Sequence, residues 1–377
     1  MKGRKKFSRP VLAAGLAALL LAGGVAGFRG IRRAWRARLW QQSETLLQKG
    51  IEAIGEKRWR EAEEDLRKSL EIRQGLLDPG HPGTVPVLHN LGLACAGLGR
   101  MPEAERIFRR TVVLLHRAAE DRGYCGAAAR ASLGSLNYEQ DRSRRAEALH
   151  LRALFLLFRQ PLEGGLAWMT LRDLARNFLG REEFRRAQSL LENGLVMMER
   201  RGARDDQERG KLLYLLGRAC RRQEDWTRAE RHHRDSLALM EKLADPPLEW
   251  LEKNCSALME ICEREGRSEE REAICLRGLA AVSKAKGEGH PETLAYLVTL
   301  ADLQGKRNDL AGAARWLSQA VEVYRRSPGI PCERRGLFLS QLAVQHNRCG
   351  RYRLSRLAAL HGLRAIPIRA KKRSPAW

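Results

Sequence analysis

Thiols are the first side chains to weigh, because a thiolate can ligate a soft metal, pair into a disulfide or attack an electrophile. The chain has 8 cysteines, Cys95, Cys125, Cys220, Cys255, Cys262, Cys275, Cys332 and Cys349, and no two are spaced C-x-x-C, the arrangement that puts two thiolates on one zinc or redox centre. Cys262 and Cys275 are placed to meet across one hairpin, which leaves a single disulfide or metal pair open. Of the 9 histidines, His232 and His233 are too few for a zinc site, and no H-E-x-x-H accompanies them. Phosphate-loop chemistry would need G-x-x-x-x-G-K-[ST] and a serine hydrolase G-x-S-x-G; neither occurs, and no carboxylate pair stands apart from ordinary charged helix faces. The expectation is a protein that is not an enzyme, with no catalytic residue, metal ligand or cofactor. Arginine remains. Arg172 with Arg176, and Arg218 with Arg221 and Arg222, fall on one helix face at their spacing. A planar guanidinium fork suits carboxylates and phosphates.

The composition sets the company such arginines keep. Lys and Arg number 69 against 45 Asp and Glu in 377 residues, a formal charge of +24, so an acidic peptide, nucleic acid or anionic lipid becomes a partner class. Hydrophobic residues at 44% and charged ones at 30% exclude a disordered chain. Ten of the positive charges lie in residues 1–38, which hold no acid, so the remainder carries +24 − 10 = +14. Between those charges, residues 10–28 are 19 uncharged residues, and as a helix they would rise about 28 Å, roughly a bilayer's hydrocarbon core. A single-pass N-terminal membrane anchor is expected, with a cleaved signal ending near Val25-Ala26-Gly27 as the alternative. Five basic residues on each side leave its orientation undetermined. Unpaired cysteines suit a reducing compartment.

Behind this segment the elements repeat. Ala62, Ala104, Ala146, Ala187, Ala229, Arg271, Ala313 and Ser355 follow one another at intervals of 42, 42, 41, 42, 42, 42 and 42. Three residues earlier stand Trp59, Met101, Ser143, Phe184, Trp226, Ser268, Leu310 and Tyr352. Twelve earlier come Gly50, Gly92, Gly134, Ala175, Gly217, Met259, Ala301 and Ala343, mostly small; eight later come Leu or Val throughout, from Leu70 to Leu363. The pattern predicts two amphipathic helices and a short turn per unit, with small residues where the helices approach. Cys95, Cys220 and Cys262 each lie nine before the reference residue, where a small apolar thiol fills a helix contact.

The segment Leu91-Gly92, Gly99, Met101, Ala104, Phe108 resembles a tetratricopeptide repeat. The 42-residue period and the Gly80-His81-Pro82 and Gly289-His290-Pro291 turns are similar to the longer kinesin light chain type. Departures are Arg271 for the small residue and Ser143 and Ser268 for the bulky one. The resemblance implies an all-α, right-handed superhelical solenoid of about eight antiparallel helix-turn-helix repeats; the uncharged run 10–28 is expected to precede it as a single N-terminal transmembrane helix. The expected organisation is a basic segment 1–9, the anchor 10–28, a basic stem 29–42, the solenoid 43–367 and a basic tail 368–377.

In that family the first helix of each unit lines a concave groove. Its exposed positions here are Arg172, Arg176, Tyr214, Arg218 and Arg221, with Lys211 and Arg222 adjoining, and further on Glu260, Glu263 and Asp302. Asn90 matches an asparagine that faces the bound peptide in kinesin light chains. The anchor, the repeats and the arginine stripe together lead to the expectation of a membrane-tethered scaffold that takes an acidic or extended peptide of a partner protein. Nucleic-acid or anionic-lipid binding is the runner-up, although Tyr214 stands nearly alone as an aromatic platform. A structural, self-associating role is the third reading.

Overall fold

The computed structural model describes residues 9–78, 80–117, 123–159 and 165–326, with positions 344 and 347, and its side chains from Ile31 onward. Among them are fourteen α-helices and no strand. They run α1 (Arg9–Gly55), α2 (Trp59–Leu76), α3 (Val85–Gly97), α4 (Met101–Arg117), α5 (Tyr124–Glu139), α6 (Ser143–Leu157), α7 (Leu166–Gly180), α8 (Phe184–Arg200), α9 (Asp206–Arg222), α10 (Trp226–Glu241), α11 (Leu248–Arg264), α12 (Ser268–Lys286), α13 (Thr293–Lys306) and α14 (Leu310–Arg326). Every even-numbered helix opens on the residue three before the 42-residue reference position.

One backbone device ends the first helix of each repeat. Five before the reference position, Lys57, Gly99, Asp141, Glu182, Glu224, Gly266 and Asn308 all adopt positive φ, between 57° and 76°. The next residue's N–H then reaches back to the last turn, as in Arg100 N to Cys95 O at 2.9 Å and Asp225 N to Cys220 O at 3.0 Å. This closure satisfies helix-end carbonyls and reverses the chain. Only two of the seven positions are glycine, so the turn is imposed by the packing of the helices it joins rather than by local preference.

The chain forms two compact units, residues 1–177 and 178–377. In the first, Leu66, Phe108 and Leu136 are buried with Leu47, Leu91 and Cys95. In the second, Leu237, Met240, Leu258 and Ile274 are buried with Cys255, Cys262 and Cys275. One contact recurs in both: the residue twelve before the reference position meets the one four after it. A Cβ on Gly50 would stand 2.6 Å from Leu66, on Gly92 2.6 Å from Phe108, on Gly134 2.5 Å from His150, and on Gly217 2.8 Å from His233. The rule explains Met259: its partner position holds Cys275, a small side chain, and both pack in one cluster. The volume moves from one helix to the other. Arg271, where other repeats have alanine, turns its guanidinium to Glu263 at 3.0 Å.

Charges repeat with the same period. Arg67 bridges Glu63 and Glu103, each at 2.8 Å, and Arg100 contacts both carboxylates in turn. At the equivalent positions, Arg234 and Arg267 form the same ring with Glu230 and Glu270. Between α4 and α6, Glu105 binds Arg109 at 2.5 Å and Arg142 at 2.9 Å, but Arg145 stands where the second acid would be.

The expected single-pass membrane localisation is overturned. Among the described residues no helix is long and apolar enough to cross a membrane. The described part of α1 carries Arg32, Arg33, Arg36 and Arg38, all exposed. The stretch 10–28 itself, with its alternative as a cleaved signal, belongs to residues whose side chains lie outside the described ones. So do the eighth repeat around Ser355, Cys332, Cys349 and the basic tail.

Candidate functional site

The residues singled out on the first helices fall in both units. In unit 1, Asn90 on α3 is half-buried, and its Nδ2 donates to Pro86 O one turn earlier at 2.9 Å. On α7 the two arginines share an acid the spacing did not weigh. Asp173 lies 3.4 Å from Arg172 and 3.7 Å from Arg176, and accepts the Ser135 hydroxyl at 2.9 Å. Arg176 also lies over the Tyr138 ring, 5.6 Å from its centre. Behind Ser135, His150 is fully buried, and burial pushes its pKa below the ordinary histidine value.

In unit 2 the α9 residues form a continuous face with α11. Lys211 pairs with Glu208 at 2.7 Å. Tyr214 meets His233 and Trp250 edge-on, with ring centres 5.3 and 5.4 Å apart, and burial raises its phenol pKa. Arg218 is exposed, 6.0 Å over the Tyr214 ring, and has no carboxylate partner among the described residues. Arg221 is bound by Glu260 of the next repeat. Arg222 contacts Glu182 at 3.4 Å and covers the Phe184 ring at 5.2 Å. Further along, Lys306 joins Asp302 at 2.9 Å and Glu263 at 3.8 Å. Glu260 and Glu263 therefore bind cations of neighbouring repeats and Asp302 one of its own helix, and of the four α9 cations Arg218 alone has no carboxylate among the described residues.

A buried polar chain supports this face. His233 Nδ1 lies 3.1 Å from Asn254 Oδ1, Asn254 Nδ2 donates to Ser236 Oγ at 2.9 Å, and Ser236 donates to Gly210 O at 2.7 Å. Burial depresses the His233 pKa to about 4, so the ring is neutral at pH 7 and fixes Tyr214 by shape rather than charge.

The thiols and the turn histidines have structural surroundings. Cys95, Cys220, Cys255, Cys262 and Cys275 are buried free thiols and Cys125 is an exposed one. Burial pushes Cys220 and Cys255 up to about 11 and Cys275 to about 12, which suppresses the thiolate that metal binding or attack requires. Among the described residues no three His, Cys, Asp or Glu are grouped to hold a metal. His81 Nδ1 accepts the Gly83 N–H at 2.9 Å, and its carbonyl takes the Thr84 hydroxyl at 2.9 Å. His290 repeats this with Glu292 N at 3.3 Å and Thr293 Oγ1 at 2.7 Å, so the Gly-His-Pro turns cap the following helix.

Residues 42–112 match a tetratricopeptide repeat family model, and residues 212–247 match a second one. The chain carries tetratricopeptide repeats. Three solved structures are similar to this tetratricopeptide repeat chain. BtubC (BKLC) from P. vanneervenii is 16% identical over 59% of this chain and 90% of its own, with a TM-score of 0.50. The quorum sensor NprR from B. thuringiensis, in its apo form, is 14% identical over 86% and 87%, with a TM-score of 0.58. A signal transduction ATPase with numerous domains and a tetratricopeptide repeat sensor, from Pyrococcus horikoshii, is 13% identical over 84% and 47%, with a TM-score of 0.63. At such identities the likeness is one of fold. No curated protein matches the sequence significantly.

Proposed function

We propose that this tetratricopeptide repeat protein is a non-enzymatic interaction scaffold whose α9–α11 face receives an acidic, extended peptide of a partner protein. The observation that carries the reading is Arg218. Its neighbours Lys211, Arg221 and Arg222 each face a carboxylate, whereas Arg218 is exposed, lies 6.0 Å over the Tyr214 ring, and has no carboxylate partner among the described residues. A fork held on an aromatic ring loses little freedom on binding a carboxylate. Arg221 and Arg222 can exchange their surface acids for a ligand's at small cost, because exposed ion pairs are worth about 0–1 kcal/mol, whereas the Lys211–Glu208 pair is buried and stays closed. The sensors that share the fold support recognition over catalysis.

A stacked nucleic acid is served less well, because the Tyr214 ring is enclosed by His233 and Trp250. The test is fluorescence anisotropy with a labelled nonapeptide of alternating glutamate and leucine. Arg218→Glu should weaken binding at least tenfold and Arg218→Lys by less. Undiminished binding by Arg218→Glu, or tighter binding of a single-stranded oligonucleotide with a steep salt slope, would overturn the reading.

A further inference from the structure

The outward face of α4 and α6 in unit 1 is basic and apolar at once. On α4, Arg106, Arg109, Arg110 and Val113 follow at helical spacing, and all four are exposed. On α6, Arg144, Arg145, Leu151, Arg152 and Phe155 are exposed in the same way. The acids of the two helices are Glu103, Glu105 and Glu147, and each is buried or half-buried. Glu103 is held by Arg67 and Arg100, and Glu105 by Arg109 and Arg142. In the two complete charge rings, two acids meet two arginines. At the equivalent positions here, Glu105 is the one acid against Arg109, Arg142 and Arg145.

Apolar side chains lie among these cations. Leu151 and Phe155 are one turn apart on α6, and Val113 takes the repeat position on α4 that Phe155 takes on α6. Val113 is 49% exposed, Leu151 47% and Phe155 59%. Grouped apolar residues rimmed by charge mark an interaction surface. The patch ends at α2. There the repeat position of Val113 and Phe155 holds Glu71, and Glu61 and Glu64 are exposed beside Arg67 and Lys68. A flat anionic bilayer would leave the basic surface as it spread towards α2, and a phosphate backbone has nothing to cover the aliphatic side chains.

We propose that the outward α4–α6 face binds an acidic amphipathic helix of a partner protein. Its apolar stripe lies on Val113, Leu151 and Phe155, and its carboxylates meet the arginines on either side. A helix is about 10–12 Å across with its side chains, which matches the seam between two neighbouring helices. This surface belongs to second helices and does not rest on the reading of the α9–α11 face.

Calorimetry on the full chain tests it with a capped peptide of about five helical turns, leucines along one stripe and glutamates on both flanks. That peptide should bind at least tenfold more tightly than a scrambled one of equal composition, or than one with lysines for glutamates. Phe155→Ser and Arg145→Glu should each weaken it at least tenfold. Arg145→Glu gives this junction the acid that the complete rings have, so it removes the charge without threatening the fold. Equal binding of the scrambled peptide, or full binding by either variant, would overturn the assignment. So would tighter binding of phosphatidylserine vesicles or a DNA duplex than of the peptide, lost in the same variants. Arg218→Glu should leave the titration unchanged; a loss there would place the helix on the α9–α11 face and overturn the inference.

Discussion

Glu224 holds a backbone conformation at φ 63° that L-residues avoid, and Lys57, Asp141, Glu182 and Asn308 do the same in their own repeats. The left-handed region costs a residue with a Cβ roughly 1–2 kcal/mol, less for Asp and Asn, whose side chains bond locally. Glu224→Gly should therefore stabilise the protein by about 1 kcal/mol despite glycine's unfolded-state entropy, and Asp141→Gly by less. Urea midpoints at constant slope would show it, and a lower midpoint for Glu224→Gly would refute the strain. A second residue-scale effect follows from His89, which burial holds at about 4 and whose Nδ1 has no partner. Its folded pKa lies below the unfolded value of about 6.5. The unfolded chain alone takes up the proton in between, so this stability is full above pH 6.5 and is lost as pH falls towards 4, at about 1.4 kcal/mol per unit. His89→Leu, which places the leucine found at the equivalent Leu47, should flatten the stability–pH curve by that slope. An unaltered slope would show that His89 is not the titrating group.

At the scale of elements, the charge rings between successive second helices show what the repeat period stores besides apolar contacts. The ring of Glu63, Arg67, Arg100 and Glu103 and the ring of Glu230, Arg234, Arg267 and Glu270 occupy identical repeat positions. The junction of α4 and α6 has three of the four members, with Arg145 adding a like charge near Arg109 and Arg142. Arg145→Glu completes the ring and should stabilise the protein by about 0.5–1 kcal/mol in low salt, the gain disappearing near 1 M salt as screening sets in. Thermal melts at both ionic strengths decide it: a gain that survives high salt would have another origin, and no gain would make the rings incidental.

At the scale of the molecule, stability is a sum over neighbours, because among the described residues the main helix contacts within each unit join elements next to one another in the chain or one repeat apart. Phe108 is almost wholly buried in the unit 1 core, against Gly92. Phe108→Ala should cost about 3–5 kcal/mol and leave a cavity. Hydrogen exchange should then accelerate in α3, α4 and α5 while α9 to α12 keep their protection. Uniform acceleration throughout the chain would mean that it unfolds as one cooperative body instead.

The helical repeat was legible in the sequence because period, small residues and bulky residues are all local facts: Ala104, Met101 and Gly92 state where one hairpin must close. The family followed from the same residues and the Gly-His-Pro turns. The candidate site was legible only as a set of arginines. Whether a cation is free depends on acids about one repeat away, such as Glu260 on Arg221, and on aromatic rings brought beneath it, such as Tyr214 under Arg218. A membrane segment was read from apolar residues counted along one line, whereas among the described residues no helix is long and apolar enough to cross a membrane. A cavity of about 370 Å³ between α3, α5 and α7 is likewise an absence of side chains across three helices. Spacing along one chain cannot show an empty space; the packing of neighbours around Ser132 and Ser135 makes it.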